Sequence, residues 1–270
     1  MACLIKHEET RIWDYPDEKK KAAYISAAMR LIGTADEEMS APLATRDITN
    51  LHREIFGFFP DMTELKRRYN HRMLEMWDEI EGAVLSAPDP LLAALKYARA
   101  GNYIDFGAMD DVDDQTLARI LRNAQAGDVD EAEYRAFCAD LDRAKHFLLV
   151  ADNAGEIVLD KLFLKVLGET HPQLSRTVLV RGLPTSNDAT PQDAAEIGLS
   201  DVARVIGNGT DIAGTEMRFI SEEARKALEE ADVILAKGQG NFETLNGCGL
   251  NVYYIFLNKC AWFVKRFATE

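Results

Sequence analysis

Asp152 and Asn153 stand side by side where an apolar run stops, in LLVADNAGE, and one glycine separates them from a helical pattern. Asn187 and Asp188 follow a second apolar run in VRGLPTSNDAT, and Asn208 and Asp211 follow a third in GNGTDIAGT. A fourth run ends on Lys237 and leads into GQGNFE. Turn and cap preferences account for each Asp or Asn alone. They do not account for a lysine closing a buried strand. Oxygen donors from Asp and Asn, without His or Cys beside them, suit a hard cation such as Mg²⁺ or Mn²⁺. Lys237 suits a phosphate as a point charge. Gly238 and Gly240 are small residues before a helix expected to start at Asn241, where backbone N–H groups favour an anion. The residues by themselves leave two readings: turn chemistry alone, or a metal ion and a phosphate held together.

Other chemistries lack their motifs. The five histidines show no metal-ligand spacing, and the four cysteines (Cys3, Cys138, Cys248, Cys260) form no C-x-x-C pair. GNGTDIAG has the wrong third-glycine spacing for a dinucleotide fingerprint and sits on a late strand. Neither a P-loop nor a G-x-S-x-G nucleophile elbow occurs. With a formal net charge of -14 and no dense basic patch, the chain is not expected to bind nucleic acid or anionic lipid. No signal peptide or membrane-spanning run is expected, and the few scattered cysteines fit a cytoplasmic location. Oligomeric state is left open.

Two textures of sequence position these residues. Before residue 145 apolar residues recur at helical spacing, as in Met73, Met76, Trp77, Ile80 and Val84, and prolines punctuate the stretch. Helices are expected over 17–32, 42–56, 62–86, 90–100, 114–126 and 130–144. After 145, five short runs rich in Val, Ile and Leu lack polar alternation, as strands buried on both faces do. Helical segments at 155–168, 190–199, 221–230 and 241–247 separate them. Strands alternating with helices argue for α/β architecture: a mostly parallel sheet in an α/β/α sandwich over 145–270, with a helical domain over 1–144 contributing to the pocket. Ligands of such sheets bind beyond the carboxyl ends of the strands, where all four motifs fall.

ADNAGEIVLD, SNDAT, GNGTDIAGT and AKGQGNFE, in that order, resemble the damage-control phosphatase family, also known as domain of unknown function 89 and as acidic-residue-methyltransferase-1-like proteins. In the helical half, DPLLAALKYARAGNYIDFG resembles a family segment with a G-N-x-x-D core. The resemblance covers roughly residues 40–260. It implies a metal-dependent phosphatase of small phosphorylated metabolites, such as sugar phosphates or damaged cofactor precursors. Asp152, Asn153 and Asp188 would be the metal ligands, with Asp152 an alternative nucleophile. Lys237 would hold the phosphate, and Asn102, Asp105, Asp211 and Gly238 would contact the substrate. Mg²⁺, Mn²⁺, Co²⁺ and Ni²⁺ are the implied cofactors. The sequence departs from the family pattern near its start, where Cys3 stands without the paired cysteines of many prokaryotic members. The alternatives are a non-catalytic phosphometabolite- or nucleotide-binding module and an S-adenosylmethionine-dependent carboxyl methyltransferase. The second needs a glycine-rich loop that is not in this sequence.

Overall fold

All five expected strands form, and each pairs in parallel with its neighbours. The computed structural model describes residues 2–34, 39–58, 60–102, 114–126 and 129–256. Among the described residues eight α-helices precede the sheet: α1 (Ala2–Arg11), α2 (Glu18–Gly33), α3 (Ala41–Phe56), α4 (Thr63–Glu75), α5 (Trp77–Leu85), α6 (Pro90–Gly101), α7 (Asp114–Asn123) and α8 (Glu131–Arg143). Then β1 (His146–Val150), α9 (Glu156–Thr170), β2 (Ser175–Val180), α10 (Pro191–Glu196), β3 (Arg204–Gly207), α11 (Glu222–Glu230), β4 (Val233–Lys237), α12 (Gln239–Leu245) and β5 (Val252–Ile255) alternate.

The strand order is β3-β2-β1-β4-β5. The chain therefore winds outward from β1 in one direction, then returns to β4 on its other side. That reversal leaves a crevice beyond the carboxyl ends of β1 and β4, the switch point at which open α/β sheets take their ligands.

Alternation along β1 sends side chains to two different cores. Phe147 and Leu149 join α6, α8 and α9 on one face, while Leu148 and Val150 join Leu228 of α11 and Leu245 of α12 on the other. The result is the three-layer α/β/α arrangement. Helix α9 is buried on nearly every side, from Ile157 to Leu167, because α4 and α6 cover the surface it turns away from the sheet. Gly101 closes α6 so near α9 that a Cβ there would lie 3.0 Å from the Glu156 Cγ. The first core thus runs without a break from the sheet into the preceding helices.

The helices differ from the sequence expectation chiefly in two places, and α12 also starts at Gln239 instead of Asn241, which puts Gly240 inside it. The helix expected over 62–86 is two, because the backbone at Met76 turns to ψ 1° and its N–H bonds to Met73 O, one residue short of the α ladder. Helix α1 stands ahead of the first helix expected and packs with α2 and α3 around Ile12, Tyr24, Ile48 and Phe56. Asp17, Ser40, Asp89, Asp130 and Ser221 cap the helices that follow them, each accepting from a backbone N–H of the first turn. Among the described residues no helix is long and apolar enough to cross a membrane.

His52 of α3 lies in this N-terminal cluster, with Tyr24, Phe56 and Phe58 around its ring and its Nδ1 3.0 Å from Phe58 O. Burial disfavours the imidazolium, so its pKa falls below the usual 6.5. The unfolded chain then binds more protons than the folded one just below that value, and stability rises with pH there. Neutral His52 contributes fully above about pH 6.5, and the contribution is lost as pH falls toward its folded pKa. Urea unfolding from pH 5 to pH 7 is expected to show this rise, and His52→Phe to flatten it; an unchanged slope in the variant would refute the assignment.

Candidate active site

Beyond Val150, Ala151 N donates to Leu179 O and the main chain leaves the sheet. It then pairs with the segment after β2: Ala189 N donates to Asp152 O at 2.8 Å and Ala154 N to Asn187 O at 2.9 Å, a short antiparallel bridge joining Asn153 to Asp188. Two motifs separated by a helix and a strand are thereby brought onto one ledge. Gly155, at φ 77°, turns the chain into α9, and its N–H donates to Asn70 Oδ1 of α4.

Asp152, Asn153, Asp188 and Asp211 line one cavity of about 670 Å³, together with Lys66 and several residues of α1 and α3. Asp152 Oδ2 accepts from Asn153 Nδ2 at 2.9 Å and from Asn102 Nδ2 at 3.2 Å. Asn153 Nδ2 also reaches Glu156 Oε2 at 3.2 Å. With both carboxylates on the Nδ2 side, Asn153 must present Oδ1 the other way, and among the described residues no donor reaches that oxygen. Asp188 Oδ2 accepts from Arg181 Nε at 2.6 Å, and the same guanidinium places Nη2 3.7 Å from Asp152 Oδ1. Arg181 is itself held by Asn241 Oδ1 at 3.1 Å.

Lys237 and Gly238 complete the site from the neighbouring strand without lining the cavity. Lys237 Nζ is fully buried and donates to Glu156 Oε1 at 2.6 Å, Asp160 Oδ1 at 2.7 Å and Ala98 O at 2.9 Å. Its three donors are all taken. Burial alone would lower the Lys237 pKa, but Asp160 and Glu156 outweigh it and hold the ammonium protonated beyond lysine's usual range. Burial also pushes the Asp160 carboxyl up, to about 7, against the pull of Lys237. Gly238, at φ 81°, packs on Asp152: a Cβ there would fall 2.1 Å from the Asp152 Oδ2. Asn102 closes α6 and is buried beneath Asp152. Asp211 stands farther along the cavity wall, 4.0 Å from Arg53 Nη1. Asp105 lies outside the described residues.

Among the described residues the linked cluster joins the acidic side chains of Asp152, Glu156, Asp160 and Asp188 to two cations, Lys237 and Arg181. Among the described residues no group of three His, Cys, Asp or Glu side chains is placed to hold a metal ion. On the ledge itself, the side chains that line the cavity offer two carboxylates, Asp152 and Asp188, and the Asn153 amide oxygen. That set fits Mg²⁺-type binding, in which one or two carboxylates leave coordination positions to water and a phosphate.

Several of these side chains escaped the sequence reading, although signals for some were present. Arg181 follows directly on β2, a charged residue at the end of an apolar run much as Lys237 is at the end of β4. Glu156 and Asp160 are four apart on α9, and so share one face. Asn70, Asn241 and Lys66 act across distances that local pattern does not reveal.

The damage-control phosphatase ARMT1-like domain family matches residues 1–270. A damage-control phosphatase of Archaeoglobus fulgidus is 29% identical over 252 residues, 90% of this chain and 85% of the relative. A damage-control phosphatase of Pyrococcus horikoshii is 32% identical over 173 residues, 62% of this chain and 58% of the relative. An uncharacterized protein of Methanocaldococcus jannaschii is 29% identical over 255 residues, 90% of this chain and 82% of the relative. The crystal structure of a DUF89 family protein from Pyrococcus horikoshii superposes with a TM-score of 0.80 at 23% identity, covering 100% of this chain and 93% of that one, and so shares its fold. The chain belongs to the damage-control phosphatase ARMT1-like domain family.

Proposed function

We propose that the chain is a divalent-metal-dependent phosphomonoester hydrolase of small phosphorylated metabolites, with Asp152, Asn153 and Asp188 as the protein ligands of the ion. The observation that carries this reading is the trio of oxygen donors brought onto one ledge of the cavity wall, the Asp152 and Asp188 carboxylates and the Asn153 amide oxygen. Mg²⁺ or Mn²⁺ is the preferred ion, with Co²⁺ or Ni²⁺ as substitutes. When bound, the ion supplies neutralisation of the charge that develops on a phosphoryl group in transfer.

The chain's own residues supply position. Asn102 and Asn153 fix one oxygen of Asp152 by hydrogen bonds, and Arg181 keeps Asp188 and Asp152 under a single guanidinium. Such supporting contacts hold ligands in their binding orientation. We assign Lys237 to this support: it anchors Glu156, which in turn receives the Asn102 and Asn153 amides. Gly238 leaves room for the Asp152 carboxylate. Asp211 is a carboxylate outside the ligand set, suited to a substrate hydroxyl.

Metal-stripped protein is expected to release phosphate from a panel of sugar phosphates and other phosphomonoesters only after Mg²⁺, Mn²⁺, Co²⁺ or Ni²⁺ returns. Asp152→Asn and Asp188→Asn should each abolish that gain and weaken Mn²⁺ binding measured by calorimetry, with circular dichroism unchanged. Full activity in chelator would sink the reading. Gly238→Ala is expected to lower activity by displacing Asp152, and to cost about 1–3 kcal/mol of stability through overpacking. Thermal unfolding and phosphate release together check it. Lys237→Met leaves Glu156 and Asp160 buried without their cation and should cost roughly 3–5 kcal/mol in denaturant unfolding. The triple variant with Glu156→Gln and Asp160→Asn should recover part of that loss; no recovery would mean the ion pairs are not its source.

A further inference from the structure

We infer that Lys66 of α4 is the cation that binds the substrate phosphate, an assignment that rests on the phosphatase reading above and gives it an anion subsite. Lys66 is 6% exposed, yet it lines the same cavity as Asp152, Asn153 and Asp188. Its Nζ is 2.6 Å from Asp193 Oδ2, its only partner among the described residues. A lysine ammonium carries three N–H donors, so two of the three remain for a ligand in the cavity. Lys237, in contrast, has all three donors taken and does not line the cavity.

The geometry around Asp193 supports the same reading. Asp193 Oδ2 already accepts from Thr190 N at 2.8 Å and Thr190 Oγ1 at 2.6 Å, closing the capping box of α10. The carboxylate is therefore fixed by its own helix start, and it fixes Lys66 in turn. Thr190 lies two residues beyond Asp188, so this capping box sets Lys66 beside the ledge of proposed ligands. A nearly buried ammonium with unfilled donors gains most from a compact dianion, which a phosphate monoester or inorganic phosphate provides. The arginines of α1 and α3 that line the cavity are more exposed: the Arg11, Arg46 and Arg53 side chains stand 24%, 23% and 43% open.

The test is calorimetric titration with inorganic phosphate, in Mg²⁺ buffer, of the wild-type chain, Lys66→Gln and Asp193→Asn, with thermal midpoints for each. Lys66→Gln should weaken phosphate at least tenfold, while Asp193→Asn, which keeps the ammonium, should stay within about threefold of wild type. A lysine that served only as a strut to Asp193 would make the two variants behave alike, and that result overturns the assignment. Unchanged affinity in Lys66→Gln overturns it too, as does a wild-type chain that binds no phosphate. If Lys66→Gln does not fold, amine acylation of the wild-type chain read by mass spectrometry decides. Phosphate should slow modification of Lys66 and leave exposed lysines unaffected; equal rates with and without phosphate refute the proposal. Phosphate binding lost in Lys66→Gln, with no substrate turned over by wild type, would uphold the subsite and refute hydrolysis. Turnover with full phosphate affinity in Lys66→Gln would do the reverse.

Discussion

The buried ion cluster of Lys237 with Glu156 and Asp160 is the constraint on which the site depends. Each of these charges, removed from water alone, would cost several kcal/mol. Held at 2.6 and 2.7 Å they become compatible with one another. The cluster also fixes geometry. Lys237 ends β4, Glu156 and Asp160 open α9, and the third acceptor, Ala98 O, belongs to α6. One ammonium therefore ties the sheet to the helix that leaves it and to the helical layer outside. The cavity residues inherit their positions from that tie, because Glu156 accepts from the same two amides, Asn102 and Asn153, that hold Asp152.

The topology explains why such a polar assembly sits at this point. Parallel strands leave their last carbonyls and the following turns at one edge, and the winding reverses between β1 and β4. The turns that follow β1 and β4 meet there, and Asn241 of α12 ties them, its Nδ2 donating to Ala151 O at 3.1 Å and Lys237 O at 2.7 Å. Asp152 and Gly238 therefore face each other there, close enough that glycine is required at 238. The antiparallel bridge from Asn153 to Asp188 brings the turn after β2 to the same place. Arg181 then works like Lys237 on a smaller scale, a strand-end cation that holds two carboxylates which would otherwise repel each other.

The preceding helices are part of the site. Asn102 and Asn70 reach the ledge from α6 and α4, and Lys66 joins it to α10 through Asp193. Because the larger core is continuous from α4 through α9 into the sheet, these contacts rest on packed helices. Precision at the ledge is therefore a property of the whole molecule, as sites carried on packed elements tend to be.

Local pattern determined much of this protein by itself. Strands buried on both faces read as unbroken apolar runs, so all five were legible, and the start of α3 was marked by Pro42 in its first turn. Asp and Asn residues at strand ends were legible as possible cation donors because a parallel sheet must bring those ends to one edge, while the choice of Asp152, Asn153 and Asp188 among them came from the family resemblance. Tertiary structure alone decided the partners of the lysines. A lysine after a buried strand reads the same whether it faces a ligand or a pair of carboxylates, and the partners of Lys237 come from α9, some eighty residues earlier. Lys66, inside an ordinary run of basic residues, became a wall of the cavity only once α4 met α10. Charge is local to the residue, but its solvation and its partners are set by packing between distant segments.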